Sequence, residues 1–462
     1  MFRKVKKVHF VGIGGIGMSG IAELLMNLGF DVSGSDINES TIIEKLIRLG
    51  ADIHMGHSAV NLTDADVLVY SSAVQNDNPE IIAAHEKNIP VIRRAEMLGE
   101  LIAVKETSIG VGGTHGKTTT SSMIGNVLTE GHLDPTLVVG GLVKTIDSNT
   151  QLGAGDIIVV EADEFDRSFL ALRPTISVIT NIDLEHTDCY NDIDDLQQAF
   201  LQFANSAPFY GAVIACIDSP ALQEILPEIK RPIISYGFNE HADIGADNIC
   251  YNESQTVYTL YVHGQENGTI TLNVPGEHNV LNSLAAVAVG MEMGLKIDTI
   301  AKGLKAYNGV RRRFEIRGTA NDIMVVDDYA HHPTEVKATL NAAKNGWKRR
   351  IVSVFQPHLF TRTRDFYEDF ALAFQNSDVL IVTDIYPARE KPIKGITGAL
   401  VANAARKAGH KHVHYVPNLD DLSSHLDTIA QPGDMIITIG AGTIWRYSEK
   451  YFEHLKSLEA AA

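Results

Sequence analysis

The feature that most constrains this chain is a pair of glycine-rich turns. They are Gly12-Ile13-Gly14-Gly15-Ile16-Gly17 and Gly110-Val111-Gly112-Gly113-Thr114-His115-Gly116-Lys117, each set between an apolar run and a helix-like run. A strand that passes through glycines into a helix opens a parallel sheet, because the helix must return along one face before the next strand can be laid down. Two such openings imply two separate sheets.

The alternation supports this. Strands are expected at Lys7–Val11, Asp31–Asp36, Val67–Ser71 and Pro90–Ile92, with a helix from Ser19 to Leu28 closed by Gly29. The second turn opens a new unit, followed by strands at Asp156–Val160 and Ile176–Thr180. Thr269–Val274 alternates polar and apolar, as a half-exposed antiparallel strand does, and Asn279–Met293 reads as an alanine-rich helix. The rhythm restarts with strands at Ile323–Val326, Arg350–Phe355, Val379–Thr383, His412–Tyr415 and Met435–Ile439. A chain of 462 residues suits three domains of about 100–200 residues each. The expected fold is α/β, each domain on a mostly parallel sheet: Rossmann-like over 1–105, a P-loop ATPase over 106–317, and Rossmann-like over 318–462.

A formal net charge of -18 argues against non-specific nucleic-acid binding, which needs a basic surface. It leaves nucleotides open, since backbone N–H groups and a few local cations hold phosphates. No stretch approaches the roughly 18 apolar residues of a membrane span, so no membrane insertion is expected. The basic start runs into a glycine-broken segment, which does not suit a signal peptide. Cys189, Cys216 and Cys250 form no CxxC pair, as suits reduced thiols and a cytoplasmic location.

Gly12, Gly14 and Gly17 satisfy the G-x-G-x-x-G fingerprint, which brings backbone and a helix N-terminus to a diphosphate. Asp36, ending the second strand, can accept from a ribose hydroxyl. Alone, the loop points to a dinucleotide-binding oxidoreductase; UDP would use the same features, and a ligand-free tight turn stays open. The second loop misses the strict phosphate-loop pattern at Val111 but keeps Gly116-Lys117-Thr118. In such loops the amides cradle phosphates, the lysine reaches the β and γ oxygens, and the hydroxyl ligates Mg2+. The acid cluster Glu161-Ala162-Asp163-Glu164-Phe165-Asp166 ends a strand where Mg2+ is completed in such folds. Only Glu161 is taken as a ligand; a solvated loop is the better reading for some of Glu164 and Asp166. His186 ends the next strand, but Mg2+ prefers oxygen, so chemistry alone does not select it.

Together these residues resemble the Mur ligase family, whose members have domains for a UDP-sugar, ATP and an incoming amino acid. Gly113-Thr114-His115-Gly116-Lys117-Thr118 matches the family's G-T-x-G-K-T loop, which accounts for Val111. The first loop, Gly34-Ser35-Asp36, Tyr70-Ser71-Ser72-Ala73 and Arg94-Ala95-Glu96-Met97-Leu98 are similar to the L-alanine-adding member. Gly276-Glu277-His278-Asn279, Arg312-Arg313-Phe314, Asp327-Asp328-Tyr329-Ala330-His331-His332-Pro333-Thr334-Glu335 and Gln356-Pro357-His358-Leu359-Phe360-Thr361-Arg362-Thr363-Arg364 extend the resemblance along the whole chain.

The resemblance implies ATP-dependent joining of L-alanine to the lactyl carboxylate of UDP-N-acetylmuramate through an acyl phosphate, with ATP and Mg2+ as cofactors. It places ATP on Gly113, Thr114, His115, Gly116, Lys117, Thr118 and Thr119, with Asn279 at the adenine and Arg313 or Asp328 at the ribose or phosphates. Thr118 and Glu161 hold one Mg2+ and His186 the other. The UDP-sugar meets Gly14, Gly15, Ile16, Gly17, Asp36, Ser71, Ser72 and Ala73. Tyr329, His331 and Arg362 surround the amino acid, with His331 the candidate base and Arg362 on the carboxylate. Lys117, His186, His331 and Arg362 form the expected catalytic set.

Two departures stand out. Several L-alanine-adding relatives carry a basic residue at the place of Leu359. Some other members carry a carbamylated lysine, but no lysine lies between Thr187 and Ile229, so no carbamate is expected. The chain is expected as a monomer or weak homodimer. The rival within the family attaches a tripeptide to the same UDP-sugar during wall recycling. An NAD-dependent dehydrogenase would leave the second loop and Glu161 without a task.

Overall fold

The computed structural model describes residues 5–71, 73–146, 148–185, 189–388 and 390–461, the side chains of Ile16 and Ala461 excepted. Its three sheets are built from βα units, as the glycine turns require. The first has strands β1 (Lys7–Val11), β2 (Asp31–Asp36), β3 (Asp52–Met55), β4 (Val67–Tyr70) and β5 (Val91–Arg93) in the order β3-β2-β1-β4-β5, all parallel. β1 is central, so Val8, Phe10 and Val11 are buried on both faces. The following helix is Ile16–Asn27 and starts before the expected Ser19. Met18 and Ser19 already donate to the Gly15 carbonyl, at 3.0 and 2.8 Å, so the last loop residues form its first turn.

The second sheet contains β6 (Thr107–Gly112), β7 (Thr136–Val143), β8 (Ser148–Gln151), β9 (Ile157–Glu161), β10 (Ile176–Ile179), β11 (Ala212–Cys216), β12 (Ile233–Gly237), β13 (Ile244–Asn252), β14 (Gln255–Val262) and β15 (Gln265–Leu272). Their order is β15-β14-β13-β12-β11-β10-β6-β9-β7-β8. β6 lies between β10 and β9, parallel to both, which sets the second glycine loop beside the strand ends of Glu161 and Ile179. β15 begins before the expected Thr269, because its first five residues are exposed and carry no apolar alternation.

The third sheet has β16 (Glu315–Ala320), β17 (Ile323–Asp328), β18 (Arg350–Phe355), β19 (Val379–Val382), β20 (Val413–Tyr415) and β21 (Asp434–Ile439) in the order β16-β17-β21-β18-β19-β20. β16 is antiparallel to β17, and the remaining pairs are parallel. β16 crosses the boundary expected near Gly318. That glycine lies at a register shift against β17, and a Cβ there would meet the Phe452 ring. Successive core residues serve opposite faces: Val326, Phe355 and Ile437 join one cluster, and Val325, Val354 and Ile436 the other.

The chain divides into two compact units. One comprises Met1–Asn248, Tyr258–Ile270 and Leu281–Asn308, and the other Ile249–Val257, Thr271–Val280 and Gly309–Ala462. Among the described residues no helix is long and apolar enough to cross a membrane.

Candidate active site

Ligands of open α/β sheets bind beyond the carboxyl ends of the strands, and the first loop lies at that end of β1. The Ser35 carbonyl accepts from Gly12 N and Ile13 N at 2.9 and 3.1 Å, and Gly15 N donates to Gly12 O at 3.3 Å. Asp36 Oδ2 accepts from Gly14 N at 2.8 Å, and Oδ1 from Asn38 N at 3.1 Å. The carboxylate expected at a ribose therefore braces the loop itself. Gly12 has φ +80°, and a Cβ there would stand 3.4 Å from Ser71 Cβ, so glycine permits both the turn and the approach of β4. Ser71 Oγ accepts from Ala73 N at 3.4 Å; Ser72 lies outside the described residues. Gly14, Asp36 and Ser71 thus gather at one end of the sheet.

Beneath them is a polar cluster that sequence reasoning missed. Glu80 is fully buried, yet both oxygens are satisfied. One takes Ser35 Oγ at 2.6 Å and His9 Nε2 at 3.3 Å; the other takes Asn61 Nδ2 at 2.6 Å and Ser58 N at 3.0 Å. Burial works to raise its pKa, but these donors prevail and hold it at about 2. Its partners are 19 to 71 residues away, so no local pattern announces it.

In the second loop, Gly113 has φ +133° and Gly116 φ +85°. A Cβ on Gly113 would fall on Thr180 Oγ1. Asn181 Oδ1 accepts from His115 N at 2.9 Å, and Thr114 Oγ1 donates to Asp183 O at 3.0 Å, so the segment after β10 sets the loop's shape. His115 Nε2 lies 3.2 Å from Asp183 Oδ2. Thr119, in the following helix Lys117–Glu130, is buried. Thr118 Oγ1 donates to Glu161 Oε2 at 2.9 Å, and Gly140 N donates to the same oxygen at 2.7 Å. The hydroxyl and carboxylate singled out for Mg2+ are therefore adjacent, and both are the hard oxygen donors that ion prefers. His186 lies outside the described residues.

Glu164 corrects the solvated-loop reading. It is buried and accepts from Lys117 Nζ at 2.7 Å, while Nζ also donates to Gly113 O at 2.8 Å. Burial pushes the Glu164 carboxyl up to about 7, opposed by the Lys117 ammonium. Burial also works against the Lys117 charge, but Glu164, Asp163 and Glu161 outweigh it and raise the lysine. The available signal was the apolar Phe165 beside the acid.

The remaining candidates belong to the second unit. Asn279 is buried and donates from Nδ2 to Pro275 O at 2.7 Å. Asp328, at the end of β17, accepts from Phe314 N at 2.7 Å and Ala330 N at 2.8 Å, and burial pushes its carboxyl up to about 6. Tyr329 packs against Arg312 and Arg313, whose guanidinium carbons stand 4.9 and 5.3 Å from its ring centre. Arg313 Nη1 is 3.7 Å from Glu335 Oε1.

His331 Nδ1 lies 3.0 Å from the Tyr329 carbonyl and 3.2 Å from Glu335 Oε2. Both neighbours accept, so the proton belongs on Nδ1 and Nε2 is the basic nitrogen. The His331 ring packs 5.8 Å from that of His358, whose Nδ1 is 3.2 Å from the buried Arg362 Nη1. His331, His358 and Arg362 are thus one cluster. His358 had no assigned role although it stands in the quoted motif. Leu359 takes φ +70° just before the helix Phe360–Ala373, and Glu390 caps that helix by accepting from Phe360 N and Thr361 N.

Comparison with known proteins gives the family. Three Mur ligase descriptions match in order: the "Mur ligase family, catalytic domain" over residues 7–106, the "Mur ligase middle domain" over 111–290 and the "Mur ligase, glutamate ligase domain" over 312–442. The chain is 50% identical over 456 residues to the UDP-N-acetylmuramate–L-alanine ligase of Geotalea uraniireducens, covering 99% of each. It is similar to the crystal structure of the UDP-N-acetylmuramate–alanine ligase of Thermotoga maritima, with a TM-score of 0.82 and 29% identity over 98% of this chain and 99% of that one. A murein peptide ligase from Psychrobacter arcticus gives a TM-score of 0.71 at 25% identity, covering 97% and 98%. With both phosphate-loop geometry and end-to-end similarity in place, this chain belongs to the Mur ligase family.

Proposed function

We propose that this chain is an ATP-dependent ligase that joins L-alanine to the lactyl carboxylate of UDP-N-acetylmuramate, in the cytoplasm, for peptidoglycan precursor synthesis. The observation that carries this reading is its half identity, over nearly the full length of both chains, to a ligase of that name. In this reading residues 1–105 bind the UDP-sugar, 106–317 bind ATP and 318–462 bind the amino acid, and the chain acts as a monomer or weak homodimer.

The carboxylate attacks the γ-phosphorus of ATP in line, the bond to the bridging oxygen breaks, ADP leaves and an acyl phosphate results, while Lys117 offsets charge on the transferring group. Thr118 and Glu161 would hold Mg2+, which lowers the cost of that charge, and His186 would serve a second ion. Asn279 meets the adenine, and Arg313 and Asp328 the ribose or phosphates. The amine of L-alanine, with Tyr329 beside it and its carboxylate on Arg362, attacks the acyl phosphate. His331 Nε2 takes the proton the amine must lose, and phosphate leaves.

The test is phosphate release from ATP with Mg2+ and UDP-N-acetylmuramate, adding one acceptor at a time. Release that depends on L-alanine, with the matching UDP-sugar product by mass, is the expected result. Release only with the L-alanyl-γ-D-glutamyl-meso-diaminopimelate tripeptide would move the chain to the recycling branch, and none with any acceptor would sink the ligase reading.

A further inference from the structure

Three arginines, Arg93, Arg94 and Arg167, line a small cleft of about 170 Å³ between the helix Arg94–Ile102 and the turn over 163–171, together with Asp163, Asp166 and Ser168. Two of them are committed. Arg93 donates from Nε to the Tyr70 hydroxyl at 3.3 Å, and Arg167 donates to both oxygens of Asp195 at 2.5 and 2.6 Å. Arg94 makes no hydrogen bond or ion pair among the described residues, although it is partly buried. Its guanidinium lies against the first glycine loop instead: a Cβ on Gly17 would stand 2.9 Å from Nη1 and 3.4 Å from Cζ. A partly buried cation with no acceptor calls for an anion.

The loop also needs a cation. The amides of Gly12, Ile13, Gly14 and Gly15 are spent on Ser35 O, Asp36 Oδ2 and Gly12 O. For a diphosphate the backbone is left with the first-turn amides of Ile16 and Gly17, which have no acceptor within the helix. We propose that Arg94 grips the diphosphate of the nucleotide-sugar, and that residue 17 is glycine so that the guanidinium can reach it. A planar fork suits this task, since two parallel N–H groups match two phosphate oxygens. The cleft then leads from Arg94 to Asp163, just beyond Glu161 at the end of β9, so the sugar on the diphosphate extends toward the phosphoryl-transfer loop.

This inference rests on the first loop's being the UDP-sugar site, and the experiment separates the two. The full-length protein is titrated calorimetrically with UDP and, separately, with ADP and Mg2+. Arg94→Ala is expected to weaken UDP about tenfold or more, the loss of a charge-assisted pair, with ADP affinity unchanged. Arg94→Lys, which keeps charge without the fork, recovers part of it. Gly17→Ala, which pushes the guanidinium away, weakens UDP in the same direction. UDP affinity in Arg94→Ala within twofold of the parent, or equal loss for UDP and ADP, would overturn the role of Arg94 alone. A parent protein that binds ADP but not UDP would overturn the reading of the first loop and this inference with it.

Discussion

Lys117, the proposed phosphate-binding lysine, is held in a buried ion pair with Glu164, and that pair sets what single substitutions should do. In Glu164→Gln the ammonium keeps neutral acceptors but stays buried without its counter-charge, and breaking a buried pair typically costs about 3–5 kcal/mol; urea unfolding should show a loss of that order. Adding ADP and Mg2+ should recover much of it, because phosphate oxygens supply the missing negative charge. An ADP stabilisation no larger in the variant than in the parent would separate Lys117 from the phosphates. Glu80 acts at the same scale but through pH. Its folded pKa, about 2, lies below its ordinary 4.5. Its contribution is therefore complete above about 4.5 and is lost as pH falls toward 2, amounting to about 3 kcal/mol. Glu80→Gln should flatten the acid limb of unfolding free energy between pH 5.5 and 3, and an unchanged slope would mean that the carboxylate is not held in its charged form. Neither acid could be placed from sequence. A short motif records residue type, whereas burial of a charge depends on partners such as Ser35, Ser58 and Asn61 that the fold delivers from elsewhere.

At the scale of elements, the helix Ile16–Asn27 serves two sheets. It follows β1 and also packs on β7 and β8, and its Gly20 is a point of close approach: a Cβ there would fall on Thr150 Oγ1 and stand 3.0 Å from Asn149 Nδ2. Lys45 Nζ bridges the same region, donating to Glu23 Oε2 at 2.9 Å and Ser148 Oγ at 3.2 Å. Gly20→Val should overpack this seat and destabilise by about 1–3 kcal/mol, read as a lower thermal midpoint with UDP affinity reduced alongside. A variant as stable as the parent would show that the contact yields. The strands that sequence reading placed well, β1, β2 and β18, are central or nearly so; β1 and β18 are mostly apolar, which states their burial directly, whereas β2 (Asp31-Val32-Ser33-Gly34-Ser35-Asp36) is marked by its place between Gly29 and Asp36. The edge strands β3 and β16 carry mostly half-exposed or exposed residues and β8 carries polar but largely buried ones, and in each the pairing is decided by the neighbouring strand. The glycine loops were legible for a local reason: Gly12, Gly113 and Gly116 occupy positive φ, which the sequence marks by glycine itself.

At the scale of the whole molecule, the proposed chemistry divides between the two compact units. Lys117, Thr118 and Glu161 belong to the first, and Tyr329, His331 and Arg362 to the second. In the proposed mechanism, activation of the carboxylate by ATP uses the first set and capture of the amine the second. The partial reactions should therefore come apart. In His331→Asn the basic Nε2 is replaced by an amide that cannot take a proton, while an amide oxygen or nitrogen remains near the Tyr329 carbonyl and Glu335. Formation of acyl phosphate, trapped by reduction with borohydride, should proceed at the parental level, and amide formation should fall by about 100-fold or more, the usual contribution of a positioned base. Raising the pH should restore part of the rate, because more of the amine is then already neutral. Lys117→Ala should abolish trapping and amide formation together. Loss of the trapped product in His331→Asn would mean that His331 supports activation as well, and the division of labour would fail. Trapping retained in both variants would instead remove Lys117 from the phosphoryl-transfer step.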